Sequence, residues 1–204
     1  MEKRNRRLAA VTALLMAALF LWLAYAVTHG RCERFDQAVR DGVHAWASAP
    51  LTFAMRGITQ LGSMVLLVIL GGVLFWRLAK VGRRKEAITL AIAALGAEGL
   101  DQLLKLLFER PRPAVFFGLA QPATYSFPSC HSMASFCFYG ALALIASQGA
   151  QPGARRWAIR LAAAALILLV GLSRIYLGVH YPSDVVGGYA AAGAWLLLVW
   201  AARG

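Results

Sequence analysis

Three short stretches of this sequence carry residue types suited to holding and attacking a phosphate. In "KLLFERPRP", Lys105 is followed seven residues later by Arg112-Pro113. The lysine falls near the end of an apolar helical segment, and the prolines stop that segment and send an extended chain past it. Two cations are thereby fixed near each other, the arginine offering paired hydrogen bonds and the lysine a point charge. In "FPSCHS", a polar turn after Pro128 opens a helix with Ser129 as N-cap, so the first backbone N–H groups, at Cys130 and beyond, are free for an anion. His131 lies in that first turn, within reach to give a proton to whatever binds there. In "SRIYLGVHYPSD", Arg174 precedes His180, and Asp184 follows His180 by four residues. Tyr181-Pro182 interrupts the helix between them. Asp184 can still bond one ring nitrogen and leave the other free as a base or nucleophile. An oriented imidazole facing a phosphate held by three cations suits phosphoryl transfer.

The elements that must position these residues are greasy. The chain has 204 residues, 60% of them hydrophobic and only 15% charged. That composition points to an integral membrane protein. Six spans are expected, at about 8–28, 57–77, 87–108, 131–148, 157–176 and 183–202. The third carries Glu98, Asp101 and Lys105 and is the most polar. Strand-like alternation is absent and the spans are rich in Ala and Leu, so they read as helices. "MEKRNRR" and Ala24-Tyr25-Ala26 resemble a signal peptide and its cleavage site, but the long apolar stretch favours an uncleaved anchoring helix. Between spans one and two, Phe35, Val39, Val43 and Trp46 recur at helical spacing over 29–50, predicting an amphipathic helix on the outer interface. His44 falls there and reads as a surface residue. The expected fold is all-α: a six-transmembrane-helix bundle with an interfacial helix between helices 1 and 2, as one domain over 1–204.

The net charge of +12 is explained mostly by topology rather than by a nucleic-acid partner. Lys3, Arg4, Arg6 and Arg7, then Arg77, Lys80, Arg83, Arg84 and Lys85, then Arg155, Arg156 and Arg160, and finally Arg203 all fall on one side of a six-span layout. The excess of basic residues makes that side cytoplasmic, with both termini inside. A second set then remains at the outer side: Arg31, Arg34, Arg40, Arg56, Lys105, Arg110, Arg112 and Arg174, with His131, His180 and Asp184. Snorkelling accounts for one or two such residues. Several cations and two histidines from three separate segments on one face point instead to a site. Asp101, four residues before Lys105, either pairs with it and steers the ammonium or forms a pair that serves packing alone. Cys32, Cys130 and Cys137 show no metal spacing; the outer loops permit a Cys32–Cys130 disulfide without requiring one.

Together the three stretches resemble the type 2 phosphatidic acid phosphatase (PAP2) superfamily of membrane lipid phosphatases. Its motifs K-x6-R-P, P-S-G-H and S-R-x5-H-x3-D match Lys105 to Arg112-Pro113, Pro128-Ser129-Cys130-His131, and Ser173-Arg174 with His180 and Asp184. One departure stands out, Cys130 in place of glycine. The resemblance implies a reaction that uses no metal and no cofactor. In it His180 attacks phosphorus to form a phosphohistidine, Asp184 orients His180, and His131 protonates the leaving group. Lys105, Arg112, Ser129, the backbone at Cys130, and Arg174 hold the phosphate oxygens, and water then releases phosphate. Cys130 as nucleophile is the lesser reading, because His180 and Asp184 already supply one. An ordinary helix start at Cys130 accepts a Cβ, so its N–H remains available.

A site on the outer face suits a phosphorylated lipid whose tails stay in the bilayer. The resemblance to small bacterial members implies undecaprenyl pyrophosphate as leading substrate. Phosphatidylglycerol phosphate, phosphatidic acid and diacylglycerol pyrophosphate stand close behind, and transfer to an acceptor lipid is an alternative to hydrolysis. The implied location is the bacterial cytoplasmic membrane. A lipid or anion transporter is the reading from another class. It is disfavoured because the charged residues cluster at one face and no inverted repeat is visible.

Overall fold

The computed structural model describes residues 2–149 and 153–203, with the side chains of 7–149 and 153–203. The side chains of Lys3, Arg4 and Arg6, expected to mark the inner end of the first span, lie outside the described residues. Among these residues there are eight helices and no strand. They are α1 (Glu2–Thr28), α2 (Glu33–His44), α3 (Ala49–Gln60), α4 (Met64–Lys80), α5 (Arg84–Phe108), α6 (Cys130–Gln148), α7 (Ala154–Tyr176) and α8 (Pro182–Ala202).

Five helices, α1, α5, α6, α7 and α8, are each long and apolar enough to cross a membrane. The second predicted span differs from expectation. Instead of one helix over 57–77 there are two, α3 and α4, bent by 46° at 61–63; together they pass the same test, as a broken span or a re-entrant loop. The break follows from local chemistry. Ser63 caps α4, its hydroxyl accepting from the Leu66 N–H at 3.4 Å, and Tyr139 donates to the Leu61 carbonyl at 2.7 Å, satisfying a group freed at the break. Six spans result when the bent pair counts as one.

The outward surface carries Leu14, Trp22, Val65, Ile69, Leu95, Leu106, Leu161 and Leu168, all exposed. So continuous an apolar exterior is what lipid requires and water does not tolerate. The chain is a multi-pass membrane protein.

Inside, α6 packs against α5, α7 and α8, and α1 lies along α8. Lipid tails are as apolar as leucine, so close approach of small residues supplies much of the helix attraction. Ala93, Cys137, Ala141 and Ala192 are fully buried at these contacts. At Gly188 of α8, a Cβ would lie 2.9 Å from the Ser129 carbonyl and 3.0 Å from Ser132 Cβ. The bare backbone there seats the start of α6 directly on the start of α8.

The remaining positioning device is the loop 109–129. Gly178, at φ +75°, turns the chain after α7, and a Cβ there would stand 2.7 Å from the Phe116 backbone nitrogen. That close approach lets the Phe116 N–H donate to the Leu177 carbonyl at 3.2 Å, tying the loop to the segment that carries His180. Replacing Gly178 by Ala combines a left-handed backbone with a clash against main chain. The expected cost is on the order of 2 kcal/mol or more, read as a lowered thermal midpoint of the detergent-solubilised protein, whereas Gly57→Ala, which meets nothing within 4 Å, leaves the midpoint nearly unchanged.

Candidate active site

All three motif stretches converge at one end of the bundle. Lys105 ends α5, Ser129 caps α6, Arg174 lies in the last turn of α7, and Asp184 stands in the first turn of α8. Ser129 has the expected extended backbone, φ −80° and ψ 113°, and its hydroxyl accepts from the Ser132 N–H. Its own N–H donates to the Asp184 carbonyl at 3.0 Å, which fixes the two helix starts relative to each other.

His180 lies in the turn between α7 and α8 and is only 1% exposed. Despite the interrupting Tyr181-Pro182, its Nδ1 sits 3.3 Å from Asp184 Oδ2. On the other side of the ring, Nε2 is 3.0 Å from an Arg112 Nη1. A guanidinium can only donate, so Nε2 is the acceptor and the ring proton resides on Nδ1, facing Asp184. Burial pushes the His180 imidazole down to about 4, against the upward pull of the Asp184 carboxylate. The ring is therefore neutral at physiological pH, with its Nε2 lone pair directed at the cations.

Those cations are held in place. Arg112 donates through Nε to the Thr124 carbonyl at 2.6 Å, through Nη2 to Thr124 Oγ1 at 2.9 Å, and through Nη1 to the Val179 carbonyl at 2.9 Å. Burial lowers its affinity for its proton, Asp184 and Asp101 opposing. Arg174 donates to Thr59 Oγ1 at 2.6 Å, while its buried Nε has no partner. Lys105 donates to Asp101 Oδ2 at 2.6 Å, the pair lying almost wholly buried. His131, half-buried, opens α6 beside Gly62 at the α3–α4 break, where a Cβ would come 3.3 Å from its ring.

Cys130 takes the first helical position of α6 without a left-handed backbone, so a residue with a Cβ fits where the motif has glycine. Its sulfur faces Glu98 Oε2 at 3.7 Å. All three cysteines are free thiols, and no Cys32–Cys130 bridge forms. His44 is not the open surface residue expected: it is partly covered and stacks on Phe116, ring centroids 3.9 Å apart.

Asp36 had no place in the sequence reading, and Arg110 counted only as an outer charge; the geometry gives both a place behind His180. Arg110 donates from Nη1 to Asp184 Oδ1 at 2.5 Å and to Ser183 Oγ at 2.8 Å, and from Nη2 to Asp36 Oδ2 at 2.7 Å. Asp36, on α2, also accepts from the Ser183 N–H at 2.9 Å and hydroxyl at 2.6 Å. Burial disfavours the Arg110 charge, but Asp184 and Asp36 overcome this and hold it above its ordinary value. Ser126 completes the set by donating to Asp184 Oδ2. The amphipathic pattern of α2 hid Asp36 because a charge opposite an apolar stripe reads as solvated. Here Phe35 is exposed while Asp36 and Arg40 are buried, Arg40 donating to the Ala114 carbonyl at 2.8 Å. The available signal was the adjacency of Arg110 to Pro111-Arg112-Pro113.

Known proteins match this chain in sequence and fold. The model of the PAP2 superfamily matches residues 86–204, more than half of the chain. The chain belongs to the PAP2 superfamily. Phosphatidylglycerophosphatase B of Bacillus subtilis is 32% identical over 192 residues, 91% of this chain and 90% of that one. A protein provisionally named undecaprenyl-diphosphatase YbjG, from Escherichia coli, is 31% identical over 148 residues, 69% of this chain and 70% of that one. The solved structure of the transmembrane PAP2-type phosphatidylglycerolphosphate phosphatase from Bacillus subtilis superposes with a TM-score of 0.85 at 28% identity, covering 93% of this chain and 94% of that one. As a PAP2 member with these relatives, the chain is an enzyme of the lipid phosphatase class.

The Arg110 bridge makes a separable forecast. Arg110→Ala leaves Asp36 and Asp184 buried without their shared cation, and destabilises the protein by about 3 kcal/mol or more. Where the variant remains folded, kcat falls about 100-fold with KM little changed, since the loss is of orientation rather than of phosphate contacts. Arg110→Lys, which cannot reach both carboxylates with a fork, recovers only part of kcat. Steady-state phosphate release together with thermal unfolding checks both halves.

Proposed function

We propose that the chain hydrolyses a phosphorylated membrane lipid at the outer face of the bacterial cytoplasmic membrane, through a phosphohistidine on His180. The observation that carries this reading is the His180 ring, neutral and buried, with Asp184 on Nδ1 and a cation-facing lone pair on Nε2. Nε2 attacks phosphorus; the P–N bond forms as the P–O bond to the lipid breaks. His131, on the first turn of α6, gives the departing oxygen its proton. Lys105, Arg112 and Arg174, with Ser129 and the Cys130 N–H, hold the oxygens on which charge gathers. Water, its proton taken back by His131, then attacks the phosphohistidine, releases phosphate and restores His180. Neither metal nor cofactor enters these steps.

The whole chain acts as one domain in this reading. Both termini are cytoplasmic, because Arg77, Lys80, Arg83, Arg84 and Lys85 connect α4 to α5 at the end opposite the site. Helix α2 lies on the outer interface with Phe35 and nearby Trp46 toward lipid, and α3 and α4 form the second span. The partner is a lipid whose tails never leave the bilayer. Two substrates head the choice. Undecaprenyl pyrophosphate, cleaved to the monophosphate, suits a cradle of three cations and a helix start, which matches the charge of a diphosphate. Phosphatidylglycerol phosphate is favoured by the likeness, over nearly the full chain, to the phosphatidylglycerophosphatase B of Bacillus subtilis. Transfer to an acceptor lipid instead of water would appear as label on a second lipid.

The decisive measurement is phosphate release from both lipids by purified protein in EDTA, with ³²P-labelled substrate quenched in alkali. Acid-labile, alkali-stable label on the protein is expected, and is lost in His180→Ala along with about 10⁴-fold or more of kcat/KM. Full activity in that variant would overturn the reading. His131→Ala is expected to lose about 10²–10⁴-fold.

The pH profile offers a further check. Protonating His180 removes the Nε2 lone pair, so activity is lost as pH falls through the ring's pKa. With that pKa lowered to about 4, kcat/KM stays on its plateau at pH 5.5 and turns down near pH 4. A histidine of ordinary pKa, about 6.5, would already be failing at pH 6.

A further inference from the structure

Directly behind the phosphate cradle, α5 and the first residue of α6 enclose a group of ligand-type atoms that the reaction does not use. One carboxylate oxygen from each of Glu98 and Asp101 and the sulfur of Cys130 lie within 4.8 Å of one another. Each carboxylate spends one oxygen on its own helix: Gln102 Nε2 donates to Glu98 Oε1 at 2.8 Å, and Lys105 donates to Asp101 Oδ2 at 2.6 Å. That leaves Glu98 Oε2 beside the Cys130 sulfur. It leaves Asp101 Oδ1 buried with no hydrogen-bond partner, on a residue only 1% exposed. A carboxylate oxygen taken out of water and left without a donor is costly, and a group that arrives to bind it recovers the cost.

The chemistry of the three atoms says what that group is. A thiol with two carboxylates is a soft-plus-hard donor set that suits zinc-class cations and not magnesium or calcium, which take oxygen alone. Around a tetrahedral zinc at about 2.0–2.3 Å, ligand atoms stand roughly 3.5 Å apart, a modest contraction of the present spacing. Three protein ligands leave a fourth position for water. Charge agrees. Two carboxylates against the single Lys105 ammonium give a local charge of −1; a divalent cation that replaces the thiol proton, which leaves to solvent, brings the group to zero.

We propose that Glu98, Asp101 and Cys130 form a binding site for a thiophilic divalent cation of the zinc class, and that occupancy inhibits the adjoining phosphatase. Cys130 lies between Ser129 and His131, so a metal on its sulfur anchors the turn that holds the phosphate and presents the acid. The same metal draws on the carboxylate that positions Lys105. The site depends on the residue by which this chain departs from the P-S-G-H pattern: glycine at 130 would supply no ligand. No metal-ligand spacing marks these residues along the chain, because Glu98 and Asp101 are three apart on one helix while the thiol comes from the start of another.

The test is titration of the full-length, detergent-solubilised protein with Cd²⁺, reading the ultraviolet thiolate-to-cadmium charge-transfer band, with Zn²⁺ as competitor. One Cd²⁺ per chain is expected. The band disappears in Cys130→Ser and persists in Cys32→Ser and Cys137→Ser. Glu98→Gln weakens binding about tenfold or more and shifts the concentration for half-inhibition of phosphate release by the same factor, with metal-free turnover unchanged. A band that survives Cys130→Ser, or Glu98→Gln binding like the parent protein, overturns the site. Binding that leaves turnover unaffected overturns the inhibition. The band reports the site whether or not His180 is the nucleophile, so failure of this proposal and of the proposed reaction are told apart.

Discussion

One guanidinium, that of Arg110, bridges two buried carboxylates from distant parts of the chain. Asp36 comes from the short helix α2 and Asp184 from the start of α8, and both are essentially without solvent. Two such anions in a low-dielectric setting demand a cation with fixed geometry; a fork that gives one nitrogen to each meets that demand. Through Asp184 the bridge reaches His180, and through Asp36 it reaches the Ser183 backbone at the first turn of α8. The tyrosine ring of Tyr181 covers the guanidinium at 4.1 Å. Remove the bridge and three separate pieces of chain lose their common reference: α2, the loop after α5, and the turn that carries the histidine.

Around that reference the bundle distributes its tasks by layer. Small residues at the α6–α8 contact let two helix starts touch through backbone, so the N–H groups of α6 and the carboxylate of α8 keep a fixed separation. The cations come from other elements, each held by a partner within the protein: Thr124 and the Val179 carbonyl for Arg112, Thr59 for Arg174, Asp101 for Lys105. In the proposed reaction, rigid support behind a charged side chain spares the entropy of ordering it when phosphate arrives. The broken second span belongs to this scheme. The α3 portion brings Thr59 to Arg174, and the break itself gives His131 a wall at Gly62.

Much of this was legible in the sequence. The apolar runs announced the spans, because lipid leaves a chain few ways to cross it. The stretches that carry Lys105, Arg112, Ser129, His131, Arg174, His180 and Asp184 were expected on one face, and they meet at one end of the bundle. What stayed hidden has a common cause. The break at 61–63 is set by a serine cap and by a tyrosine hydroxyl 78 residues away in sequence, and hydropathy registers neither. Asp36 looked solvated because a periodic pattern shows which face is greasy, not whether the other face is covered. Arg110 sat among charges that all qualified for the outer side; only its partners distinguish it. Cys130 read as a tolerated substitution, since the acids that face its sulfur lie a full span away in the chain.

Arg112 donates to Nε2 of His180, the atom through which the proposed reaction proceeds. The lone pair is thus engaged, and by a group that three other protein contacts keep from wandering. In the proposed reaction, a phosphate oxygen that accepts from the same guanidinium frees that lone pair as it brings phosphorus to the ring. On that reading the substrate's own charge uncovers the nucleophile it is about to meet.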